Sequence, residues 1–179
     1  MKDSMTKKLV LAGLFIALGI ILPIAFHTIE GAGSVFLPMH IPVLISGFFL
    51  DWPFALAVGM LTPLLSSTIT GMPPVFPAMV FMIFELATYG VIVSLFYRKL
   101  EKNTYVSLIS SMICGRLVSG FVVWILATFF AAQLPGPILF IKGAILKGIP
   151  GIIIQIVLIP VIVMAINKSK PNMVRDQNR

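Results

Sequence analysis

Four ionisable side chains stand inside apolar stretches of this chain, where hydrocarbon tolerates charge poorly: Glu85, Arg116, Lys142 and Lys147. Such groups ordinarily face a bundle interior, an opposite charge or a wet cavity. One acid cannot neutralise three bases, and the excess positive charge suits a ligand bearing a carboxylate or phosphate. His40, and Gln155 deeper in the last apolar stretch, would complete the lining of a site open to the outside. Tyr89 lies one helical turn beyond Glu85, placed to hydrogen-bond either a ligand or a core neighbour. A structural reading stands beside this one. Glu85 with Lys147, or Glu85 with Arg116, forms a single buried ion pair that fixes helix packing, while Lys142 stretches out to the headgroups. At about 1.5 Å per residue from the assumed outer ends, Glu85 lies about 12 Å deep and Lys147 about 15 Å, so these two are able to meet.

The elements that position these groups must be membrane helices. Of 179 residues, 59% are hydrophobic and only 11% are charged, with a mean hydropathy of +1.07. A soluble domain is about a quarter charged. Soluble enzymes, nucleic-acid binders, disordered tails and disulfide scaffolds are thereby excluded. A spanning helix needs about 20 mainly apolar residues, and six segments qualify: residues 9–26, 41–50 extended by 38–40, 54–69, 77–97, 105–131 and 137–166. The second and third are short, so they tilt or form a hairpin that does not fully cross. The expectation is an all-α membrane protein, a compact six-helix bundle forming one domain over residues 1–167, followed by a polar tail, 168–179. Pro38, Pro42, Pro53, Pro73, Pro74, Pro77, Pro135 and Pro137 mark breaks, whereas Pro63, Pro150 and Pro160 fall inside helices and should kink them.

The net charge of +7 would suggest nucleic acid in a soluble protein, but its placement points to a membrane. Lys2, Lys7 and Lys8 precede the first span, Arg98, Lys99 and Lys102 follow the fourth, and Lys168, Lys170, Arg175 and Arg179 fill the tail. With an even number of spans, all three basic segments share one side, which the positive-inside rule makes cytoplasmic, with both termini. Residues 27–39, 70–76 and 132–136, on the opposite side, contain no lysine or arginine. The first span is read as retained, because its apolar run is longer than a signal core.

Smaller signals fill in the picture. Phe36, Met39, Met72 and Phe76 punctuate loops rich in Gly, Pro, Ser and Thr, where they would wall or lid a pocket or rest in the interface. Gly13 and Ala17 have the small-xxx-small spacing that lets helices approach closely, while Gly115, Gly120, Gly143, Gly148 and Gly151 are assigned to internal packing. Trp52, beside Asp51 at an inner turn, reads as an interfacial anchor and Trp124 as core. Cys114 stands alone, so neither an intrachain disulfide nor a multi-cysteine metal site is available. No phosphate-binding GxxxxGK[ST], HExxH or nucleophile elbow occurs, which disfavours an enzyme and implies no cofactor.

A set of motifs carries a family resemblance: Leu37-Pro-Met-His-Ile-Pro-Val-Leu-Ile-Ser-Gly47, Leu61-Thr-Pro-Leu-Leu-Ser-Ser67, Thr70-Gly-Met-Pro-Pro74, Phe84-Glu-Leu-Ala-Thr-Tyr-Gly90 and Lys147-Gly-Ile-Pro-Gly-Ile-Ile-Ile-Gln155. Together, over nearly the whole chain, they resemble the substrate-binding S components of energy-coupling factor (ECF) transporters. The resemblance implies capture of a water-soluble vitamin or related micronutrient from outside a bacterial-type cytoplasmic membrane. Uptake would then be driven by partners, a transmembrane coupling protein and two ATPase subunits, which accounts for the missing nucleotide motif. Gly13 and Ala17 would take the place of the family's AxxxA coupling face, with glycine replacing the first alanine. Ligands in that family bind in the outer half, where Glu85, Tyr89, Arg116, Lys142, Lys147 and His40 fall. An anionic ligand such as pantothenate or nicotinate matches the basic excess, and a pyridoxine-like ring nitrogen would match Glu85. Two other functions fit the residues, a structural or assembly membrane subunit and a stand-alone carrier using Glu85 as a proton relay.

Overall fold

In hydrocarbon a backbone has no water to bond, so long apolar runs satisfy their own amides and become helices. A computed structural model describes residues 4–26, 32–130 and 134–168, and among these it contains helices and no strand. They are α1 (Met5–Phe26), α2 (Ala32–Phe36), α3 (His40–Phe49), α4 (Trp52–Thr70), α5 (Val80–Ser94), α6 (Thr104–Phe129) and α7 (Pro137–Lys168). Wider helical turns, Val75–Met79 and Leu95–Lys99, flank α5. Five helical stretches are long and apolar enough to cross a membrane: α1, α4, α5 with its flanking turns, α6 and α7. The segment Gly33–Phe49 is apolar but shorter. The second expected span is α3, ten residues long, and α2 forms a further short helix where a loop was expected. Pro63, Pro150 and Pro160 lie within their helices, as does Pro23. The expected tail lies outside the described residues, apart from Lys168.

Helix α5 packs against α3, α4 and α6, while α1 covers α3 and α4, and α7 closes against α6, α2 and α3. The core follows from that arrangement: Val43 and Leu44 of α3, Ala55 and Val58 of α4, Leu86 and Val93 of α5, Leu108 of α6 and Ile159 of α7 are fully buried. Helices α4 and α5 meet backbone to backbone. A Cβ on Gly59 would sit 2.4 Å from the Leu86 carbonyl oxygen, and one on Gly90 2.5 Å from that of Ala55. Only hydrogen fits there, and the close approach maximises dispersion contact where lipid offers no hydrophobic drive.

One end of the bundle is tied by polar groups. Lys8 of α1 donates to Asp51 Oδ2, and Arg98 donates to Asp51 Oδ1 at 2.9 Å and to the Phe49 carbonyl at 3.1 Å. Asn167 near the end of α7 donates to the Tyr97 hydroxyl at 2.9 Å. Asn103 caps α6 by accepting from the Val106 amide at 2.8 Å. The first and last helices thus begin and end at the same face of the bundle. Asp51 sits outside the spanning segments; the hydrogen bond from Lys8, and behind it Arg98, hold its carboxyl below the ordinary range against a desolvation that pushes it up.

Several packing expectations need correction. Trp124 is exposed on the outer face of α6, stacked on Phe121 at 5.8 Å, because its position on the helix turns it toward lipid rather than the core. Gly143 is exposed as well, with nothing within 4 Å of a built Cβ, so it serves no internal contact. Gly115, Gly120, Gly148 and Gly151 do lie against neighbouring groups. Trp52 is exposed, as an interfacial anchor would be.

Candidate functional site

At the end away from Asp51 the helices splay around a cavity of about 640 Å³. Pro23 and Phe26 from the last turn of α1, Gly33, Ser34, Leu37 to His40, Met72 to Pro74 after α4, and the inner faces of α5, α6 and α7 form its walls. Two runs explain much of the lining. Ala78, Phe81, Met82 and Glu85 stand at i, i+3, i+4 and i+7, and Phe140, Ala144 and Lys147 at i, i+4 and i+7, so each set shares one helical face. The volume lies within the range of small-molecule sites, and so does the chemistry, an apolar wall bearing a few convergent polar groups.

Glu85 is the hub of those groups. It is 1% exposed, and its Oε1 forms an ion pair with Arg116 Nη1 at 2.7 Å and accepts a hydrogen bond from the Tyr89 hydroxyl at 2.7 Å. His40 Nε2 approaches the same oxygen at 3.8 Å, outside hydrogen-bonding distance, and the His40 ring packs on Tyr89 with centroids 5.6 Å apart. His40 Nδ1 is buried without a hydrogen-bond partner among the described residues. The α6 backbone makes room for this cluster: a Cβ on Gly115 would lie 2.0 Å from Tyr89 Cε1. Gly115 therefore lets the Tyr89 ring lie flat against α6 with its hydroxyl on Glu85. A buried acid that pairs with a guanidinium and accepts a hydroxyl is held in one geometry rather than left as an uncompensated charge.

Of the six residues singled out from the sequence, the structure brings Glu85, Arg116, His40 and Lys147 to the cavity wall. Tyr89 lies behind that wall and reaches the site through its hydrogen bond to Glu85 and its ring contact with His40. Lys142 is exposed on α7 and is absent from the lining, because five residues back from Lys147 turn it to another side of the helix. The ion-pair partner of Glu85 is Arg116, not Lys147. Lys147 makes no ion pair or hydrogen bond among the described residues. Gln155 is buried away from the cavity, its Nε2 unpartnered among the described residues. Met39 and Met72 line the cavity as loop residues were expected to, whereas Phe36 packs on Phe26 at 5.5 Å and Phe76 is exposed. The sequence reading missed Phe26, Phe81, Met82 and Phe140, of which Phe81, Met82 and Phe140 share a helical face with Glu85 or Lys147.

Comparison with known proteins gives one match: a family model described as the substrate-specific component of ECF transporters covers residues 7–163. No curated protein and no solved structure matches the chain.

Proposed function

We propose, since this chain belongs to the family of substrate-specific components of ECF transporters, that its cavity captures a water-soluble vitamin or related micronutrient for ATP-driven uptake. Membership makes the chain a multi-pass subunit of the cytoplasmic membrane that serves transport rather than catalysis, working with a small-molecule substrate and the components of an ECF module. The observation that carries the finer reading is the cavity itself. It lies at the end of the bundle opposite Lys8, Arg98 and the end of α7, where the basic segments gather. By the positive-inside rule the basic end faces the cytoplasm with both termini, and the cavity opens outward. Glu85, Arg116, Lys147 and His40 contact the ligand or hold those that do, and Tyr89 positions Glu85. The ligand is an anion such as pantothenate or nicotinate, or a pyridoxine-like compound that meets Glu85.

The energising partners are a transmembrane coupling protein and two ATPases. Gly13 and Ala17 face outward on α1, and nothing lies within 4 Å of a Cβ built on Gly13, which supports a coupling contact on this face. The direct test is reconstitution into vesicles with an ECF module. Vitamin uptake that requires both ATP and the module is the expected result, and uptake that persists without the ATPases and follows a proton gradient overturns it. A vitamin at 100 times its Kd should also stabilise the purified protein by about 2.7 kcal/mol.

The pairing of Glu85 with Arg116 favours a second reading, a structural or assembly subunit whose charges serve packing. On that reading Lys147→Met costs folding, with no separable loss of transport.

A further inference from the structure

We infer that the cavity selects an organic monoanion with an apolar body, its acid group held by Lys147, and that Glu85 serves as the internal counter-ion of Arg116 rather than as a ligand contact. The inference rests on reading the cavity as the substrate site and adds the charge class of what fills it.

The argument is a charge count. Among the described residues, three ionic side chains line the cavity besides His40: Glu85, Arg116 and Lys147. Glu85 and Arg116 cancel at 2.7 Å. That leaves the Lys147 ammonium, exposed and unpaired among the described residues, in a wall that also carries Phe81, Met82 and Phe140. A single negative charge on the ligand would neutralise it. A cation would meet an ammonium with no acid on it among the described residues, a dianion would bring a surplus charge against an apolar wall, and a neutral ligand would forgo the ion pair. Arg116 assists from the side: its Nη2 lies 3.8 Å from a Cβ built on Gly148, next in sequence to Lys147. Its Nη1 is engaged by Glu85 and its Nη2 makes no hydrogen bond among the described residues, so the cavity wall carries a second donor for the ligand. Glu85 Oε1 already accepts from the Tyr89 hydroxyl and pairs with the Arg116 guanidinium, so its charge is matched within the protein.

Matched acid and neutral compounds test this on the full chain in detergent, by calorimetry or thermal shift: nicotinate against nicotinamide, and pantothenate against pantothenol. Thiamine serves as the cation and pyridoxal phosphate as the dianion. The acid of at least one pair should bind roughly 10-fold or more tightly than its neutral partner. Lys147→Met should bring the pair to parity, and Lys147→Arg should keep the preference. A tightest ligand that is neutral, cationic or dianionic overturns the inference while leaving the cavity as the substrate site. So does a preference for the acid that survives unchanged in Lys147→Met. If no compound binds and no vitamin is taken up with the module and ATP, the reading of the cavity as a substrate site fails, and this inference with it.

Discussion

Each end of the bundle sets one buried or half-exposed acid against bases, Asp51 at one and Glu85 at the other, and the two are used differently. At one end Asp51 binds both Lys8 and Arg98, so every charge is satisfied within a half-exposed cluster that ties α1 and the end of α5 to the α3–α4 turn. At the other, Glu85 takes Arg116 alone and turns its second acceptance to a tyrosine, leaving Lys147 without a carboxylate among the described residues. Solvent makes the first arrangement cheap and weak, since exposed pairs are screened and contribute little. Burial makes the Glu85–Arg116 pair costly to break, while Lys147, exposed in the same cavity wall, keeps an unmatched charge. A charge cluster that closes on itself is a clasp; one that leaves a remainder beside a cavity is a site.

That contrast is sharpest where burial is deepest. Glu85→Leu strands the Arg116 guanidinium and should lower stability by about 3 kcal/mol, read as a fall in thermal midpoint of the purified protein. Adding Arg116→Met should recover much of the loss. A double variant as unstable as the single would mean that the pair is not what holds this end. Gly115→Val comes next. Its side chain collides with the Tyr89 ring, and a cost of about 2 kcal/mol is expected, together with weaker ligand binding as Glu85 loses its support. Tyr89→Phe keeps the ring and removes only the hydroxyl bond to Glu85, for about 1 kcal/mol; no change at all would show that Arg116 positions Glu85 unaided.

The smallest effect belongs to the exposed end. The Asp51 carboxyl is held below its ordinary pKa, chiefly by the hydrogen bond from Lys8. A depressed carboxylate contributes stability that is fully present above the unfolded value and is lost as pH falls through the folded one. Unfolding profiles of the natural chain and Asp51→Asn should therefore differ slightly at neutral pH and converge in acid, and added salt should shrink the gap. A gap that is large and indifferent to salt would erase the distinction between the two ends.

Much of this architecture is legible in the residue order. Long apolar runs with basic residues between them place α1, α4, α6 and α7 within a few residues, because length and hydropathy are properties of a segment alone. The five residues of α2 carry no such signal, lying among glycines and serines too few to show a period. Site residues divide on the same ground. Intramembrane charge marks Glu85, Arg116 and Lys147 without any structure, but the partner of Glu85 depends on how α6 and α7 are rotated about their axes. Depth arithmetic places Lys147 and Glu85 at similar levels and says nothing of that rotation, which is why Arg116 wins. The same ignorance of rotation turned Trp124 inward and Lys142 toward the site, when neither faces that way. Phe81, Met82 and Phe140 were readable by counting three, four or seven residues along the helix from Glu85 and Lys147.

The glycine contacts between α4 and α5 have a mechanical consequence. With Gly59 seated on the Leu86 carbonyl and Gly90 on that of Ala55, the two backbones are keyed together at points a few residues apart. Sliding one helix along the other would drive a carbonyl into a neighbouring side chain, so shear is blocked and the pair behaves as a stiff plate. The α5 wall of the cavity, Glu85 included, is fixed to that plate. Any widening of the cavity mouth must then come from the opposite walls, α1 with its terminal Phe26, α2, and the first turns of α7, moving against a stationary floor.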